Sequence, residues 1–83
     1  MTPRVIKVRV GPEFCLDVQF ENGERGVLDM KPSLDFGVFR ALQVQTRFAE
    51  AGVAFGTIEW PGGLDLDPVF VYKNCEKAVP ASA

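Results

Sequence analysis

Eighty-three residues make one domain and no more, and a domain this small hides only about 60–65 % of the surface its unfolded chain exposes, so its core must be dense in large side chains. The chain has them: it is 47 % hydrophobic, with seven Phe, one Trp and one Tyr, which excludes a disordered polymer. Nine basic against eleven acidic groups leave a net charge of −2, giving no large field toward nucleic acid or an anionic membrane.

The chain opens Met1-Thr2-Pro3-Arg4 and enters a strand pattern at once, without the apolar stretch of a signal peptide. No run of about 18 apolar residues exists to span a bilayer, and a cytoplasmic location is expected. In Arg4-Val5-Ile6-Lys7-Val8-Arg9-Val10, period two puts Ile6, Val8 and Val10 on one face and Val5, Lys7 and Arg9 on the other. Val5 is therefore expected outside the core. After a turn at Gly11-Pro12-Glu13, Phe14, Leu16, Val18 and Phe20 alternate with Cys15, Asp17 and Gln19 as a second strand.

The next turn, Glu21-Asn22-Gly23-Glu24, admits two registers. A two-residue Asn-Gly loop pairs Phe20 with Arg25 and mixes polar groups into the core face. A three-residue loop with Gly23 left-handed pairs Leu16 with Leu28 and Phe14 with Met30. Core chemistry selects the second, leaving Asp29 outside near Cys15 and Val27 outside near Asp17.

Lys31-Pro32-Ser33 closes this three-stranded meander. Val38, Phe39 and Leu42, then Phe48, Ala49 and Ala51, predict two short helical turns, with Gly52 suited to a C-terminal cap. Val53-Ala54-Phe55 and Thr57-Ile58-Glu59-Trp60 read as strand, with Gly56 at a bend or bulge and Pro61 ending the run. Asp67 predicts an N-cap with Pro68 in the first turn of a last helix. The expected fold is α+β: a small antiparallel sheet, the meander plus a C-terminal strand or hairpin, packed with two or three short helices. A single domain over residues 1–75 and a flexible tail over 76–83 are expected.

Chemically, absences dominate. The chain has no His, so the usual base near neutral pH is missing and no Ser-His-Asp or Cys-His set can form within one chain. Neither phosphate-loop nor dinucleotide fingerprints occur. No enzyme activity, cofactor or metal is expected, and Cys15 and Cys75 are read as small hydrophobes rather than a disulfide. Glu59, Asp65 and Asp67 form the best carboxylate cluster, around Trp60-Pro61-Gly62-Gly63-Leu64. A hard cation wants about six oxygens, whereas turn and capping roles explain each residue without a ligand: glycines for the turn, Asp65 capping it, Asp67 capping the helix. Trp60 is expected to pack inward. Arg4, Lys7 and Arg9 form the one basic patch, too few for a binder that neutralises about six to ten phosphates.

The segment Trp60-Pro61-Gly62-Gly63-Leu64-Asp65-Leu66-Asp67-Pro68, with Val71-Tyr72 after it, resembles the Trp-Pro-Asn-Gly-x-Asp-x-x-Pro hallmark of the bacterial proteins grouped as domain of unknown function 2442. Gly62 stands where the family usually has Asn. Phe20-Glu21-Asn22-Gly23-Glu24, Asp29, Phe39, Leu42 and Phe48 fit the family's earlier pattern, and the resemblance covers roughly residues 3–73. It implies a small antiparallel sheet with short helices and supplies no activity. Some members of the family continue into a helix-turn-helix domain; others stand alone, often encoded beside a second small protein, and that pairing implies a partner-binding, antitoxin-like regulator.

The leading expectation is thus a protein-binding accessory module, with Val5, Lys7, Arg9, Trp60, Gly63, Asp65 and Asp67 as its candidate surface and exposed Val27 beside them. Two alternatives stand: a nucleic-acid-associated regulator using Arg4, Lys7, Arg9 and Arg25 beside Gln19, and a ligand or metal module on the Trp60–Asp67 loop. Homo-oligomerisation is compatible with all three, since small domains gain stability by pairing.

Overall fold

A computed structural model describes residues 2–79. Strands β1 (Val5–Val10), β2 (Cys15–Phe20) and β3 (Arg25–Asp29) lead into two 3-10 segments, Lys31–Asp35 and Gly37–Gln43, and a single turn of helix, α1 (Gln45–Phe48). Strands β4 (Gly52–Ala54), β5 (Thr57–Trp60) and β6 (Leu64–Asp65), helix α2 (Pro68–Asn74) and strand β7 (Glu76–Val79) follow. One antiparallel sheet has the order β1-β2-β3-β7 and the other β4-β5-β6. This is the small α+β fold that the patterning predicts.

The β2–β3 hairpin takes the register that buries apolar side chains. Leu16 faces Leu28 and Cys15 faces Asp29, while the Met30 N–H donates to the Phe14 carbonyl at 3.0 Å. Gly23 adopts φ +92° to close the three-residue loop. Strand β1 departs from simple alternation. Lys7 faces Gln19 but Val5, not Ile6, faces Phe20, so one extra residue is accommodated as a bulge. The bulge inverts the parity of the strand's start: Val5 is 2 % exposed and Ile6 52 %. The expectation of Val5 as a surface residue is thereby corrected. Phe14 is also displaced from the strand, standing in the preceding turn at φ +59°.

The middle segment winds as 3-10 helix more than α-helix. Pro32 occupies its first turn, extended Phe36 separates the two pieces, and Gly37, at φ +52°, opens the second. In a 3-10 helix residues three apart eclipse, so Phe39 and Leu42 share a face and Val38 is left 65 % exposed rather than joining them. Leu34, Leu42 and Phe48 drive the segment into the core. Gly52 does not cap a helix; α1 closes at Ala49, and Gly52 begins β4.

Phe55 and Gly56, at φ +51° and +76°, form the two-residue turn joining β4 to β5, a full hairpin where a bend was expected. Asp67 accepts a hydrogen bond from the Val69 N–H at 2.8 Å with Pro68 in the first turn, so α2 begins as predicted. Residues 76–79, expected to begin the tail, form β7 against β3. What admits this strand is Gly26: a Cβ there would lie 2.4 Å from the Glu76 carbonyl oxygen and 2.8 Å from Cys75 Sγ. The rest of the expected tail, 80–83, lies outside the described residues. No helix among the described residues is long and apolar enough to cross a membrane.

Candidate functional site

The Trp-Pro segment is built mainly as scaffold. Trp60 is 2 % exposed and its indole N–H donates to the Phe48 carbonyl at 2.9 Å, tying β5 to α1. It therefore packs inward and adds no side-chain surface. Pro61, Gly62 and Gly63 make the β5–β6 loop, with both glycines at positive φ, +97° and +86°. The Thr57 hydroxyl donates to the Leu66 carbonyl at 2.7 Å, and the Leu66 N–H donates to the Ile58 carbonyl at 3.0 Å, so the chain stays pinned to β5 until Asp67 caps α2. Asp65 does not cap the glycine turn as expected. It lies in β6, exposed, directly across from Glu59.

Beyond this scaffold opens an apolar groove of about 480 Å³ whose walls are Phe36, Phe39, Leu66 and Phe70, with Ser33, Asp65 and Asp67 at its edge. The 3-10 winding of Gly37–Gln43 sets Phe39 and Leu42 on one face, and the extended Phe36 just before it continues the run toward solvent: Phe36 is 70 % exposed, Phe39 half-buried and Leu42 2 % exposed. Across from this stripe, the cap at Asp67 sets the start of α2 and with it Phe70. Sequence reasoning singled out Asp65 and Asp67 but missed Phe36 and Phe70; the i, i+3 spacing from Phe36 to Phe39 was the available signal.

Lys7 and Arg9 lie elsewhere, on the outer face of the large sheet. Strand pairing sets Lys7, Gln19 and Arg25 in one row and Arg9, Asp17, Val27 and Glu76 in the next. A shallow groove of about 430 Å³ crosses this face. Of the seven surface candidates, the structure thus brings Asp65 and Asp67 to one groove and Lys7 and Arg9 to another. Gly63 stays in its turn, and Val5 and Trp60 are in the core. Among the described residues no three His, Cys, Asp or Glu side chains converge to hold a metal ion.

A third cluster joins the two halves of the Phe20–Glu24 and Val71-Tyr72 pattern. Glu24, only 8 % exposed, accepts hydrogen bonds from the Tyr72 hydroxyl at 2.6 Å and the Asn22 amide at 2.7 Å. Lys77 lies over the Tyr72 ring, 4.0 Å from its centroid, and donates to the Tyr72 carbonyl. The Tyr72 hydroxyl, then Asn22, hold the Glu24 carboxyl below its ordinary range against the opposing pull of burial. The same bond to Glu24 raises the Tyr72 phenol. With Phe20 edge-on to Tyr72 at 5.2 Å, the cluster locks the hairpin loop onto α2 and β7.

The model of the family described as "Protein of unknown function (DUF2442)" matches residues 5–77. No curated protein and no solved structure matches the chain.

Proposed function

The chain belongs to the DUF2442 family of proteins of unknown function, and we propose that it is a non-enzymatic, cytoplasmic accessory module that binds a partner protein through the Phe36–Phe70 groove. The observation that carries this reading is Phe36, 70 % exposed at the mouth of an aromatic groove in a domain whose core is otherwise well satisfied. No buried side-chain nitrogen or oxygen among the described residues lacks a hydrogen-bond partner. Aromatic side chains that line a concave, water-exposed surface are the anchors on which protein interfaces concentrate their energy. The absence of His from the chain supports a binding rather than a catalytic role. An antitoxin-like regulator is the form of this reading that the companion proteins of similar chains suggest.

The test is an affinity pull-down of tagged wild-type protein and Phe36→Ser from lysate of the source cells, at low and moderate salt. One stoichiometric protein held by the wild type at both salts and lost by the variant supports the reading. An empty eluate, or equal retention by the variant, ends it.

A second reading attaches to the sheet's outer face, where Lys7 and Arg25 flank Gln19 in one row and Arg9 stands in the next. This supports weak binding of a nucleic-acid backbone. Its signature is affinity that falls steeply with salt, and no mobility shift with DNA or RNA at low ionic strength removes it.

A further inference from the structure

The rim of the Phe36–Phe70 groove carries charge of one sign. Asp65 and Asp67 line it, and no basic side chain does. Glu59 stands directly across the β5–β6 ladder from Asp65, so a third carboxylate adjoins the rim. Like charges set opposite each other in a ladder destabilise it, yet none of these three acids is in an ion pair among the described residues, whose one salt bridge is Lys31–Asp29. The fold uses one of the three: Asp67 caps α2. It makes no comparable use of Glu59 and Asp65, which are exposed and stand opposite each other in the ladder. The rest of the lining, Ser33 apart, is phenylalanine and leucine.

Resting on the docking reading above, we infer that the partner presents to this groove a large apolar side chain flanked by lysine or arginine. The apolar side chain fills the space between Phe36, Phe39 and Phe70. The flanking cations meet Asp65 and Asp67, with Glu59 across the ladder from Asp65. Electrostatic matching of this kind selects partners and speeds their encounter. The chain's own basic residues on the large sheet do not line this groove, so the cations must come from outside.

The experiment is selection of a phage-displayed library of random linear peptides on the intact protein, followed by affinity measurements with three proteins: wild type, Phe36→Ser and the double variant Glu59→Gln/Asp65→Asn. The expected result is enrichment of peptides with an aromatic or branched aliphatic residue flanked by Lys or Arg. Their affinity falls about tenfold or more on Phe36→Ser, as for an interface anchor, and about three- to tenfold on the double variant. The double variant is also expected to melt at the same or a higher temperature, because removing the like-charge opposition relieves the free fold while weakening binding. Peptides that depend on Phe36 but show no basic bias, or that bind the double variant equally well, overturn this inference and leave the docking reading standing. An empty selection, or peptides indifferent to Phe36→Ser, overturns both.

Discussion

Glu24 is charged and nearly buried, and its three neighbours account for that. The Tyr72 hydroxyl, the Asn22 amide and the Lys77 ammonium all favour its ionised form. A carboxyl held below its ordinary value of 4.5 in the fold adds stability that is present above that value and lost as pH falls through the folded one. Asp29, held low first by the Lys31 backbone N–H, acts in the same direction from its ordinary 3.8. Stability measured by urea denaturation is therefore expected to fall as pH drops from about 6 toward 2. Glu24→Gln should flatten part of that slope and Asp29→Asn part of the remainder; an unchanged slope in Glu24→Gln contradicts the assignment. Tyr72, raised by the same bond, adds stability below its ordinary 10.0 that is lost as pH rises through the folded value. The Glu24–Tyr72 contact was not legible in the sequence, because forty-eight residues separate the pair and no local pattern links a hairpin loop to a distant helix. Trp60 was legible, since a lone Trp in a small core has few better places than inside.

At the scale of elements, one strand and one turn carry the clearest expectations. Gly26 has no room for a side chain beneath β7 and Cys75. Gly26→Ala should cost about 1–3 kcal/mol by overpacking, with faster amide exchange over residues 76–79 as β7 lifts away. Stability and exchange matching the wild type mean that β7 is not docked as described. Phe55 gives the opposite prediction. It stands at φ +51° and is 94 % exposed at the tip of the β4–β5 turn, where Asn is better suited. Phe55→Asn should raise stability by about 1 kcal/mol, read as an upward shift in Tm, and a lower Tm shows that Phe55 packs. The β2–β3 register and the start of α2 were readable because a one-residue slip, or loss of a cap, has a visible chemical penalty in the sequence. The β1 bulge was not, since Val5 and Ile6 are both strand-forming and apolar, and only pairing with Phe20 decides between them. Strand β7 was missed for a related reason: Glu76-Lys77-Ala78-Val79 has little pattern of its own and is held by the gap that Gly26 leaves.

Across the whole molecule, the near-neutral charge count conceals an uneven placement. The outer face of the large sheet mixes Lys7, Arg9 and Arg25 with Asp17 and Glu76, while the aromatic groove is lined by Asp65 and Asp67 with no basic side chain. Composition alone could not show this, and the acidic half of the candidate surface was found only as a carboxylate cluster without its aromatic wall. The groove arises from tertiary placement of two segments about thirty residues apart, one wound as 3-10 helix and one capped by Asp67. Docking of a partner at this groove is read by amide hydrogen exchange of the protein, free and bound to the partner retained in the pull-down. Slowed exchange confined to residues 33–39 and 64–70 is the predicted result. Protection across the β1–β3 face around Lys7 and Arg25, with the groove unchanged, contradicts it.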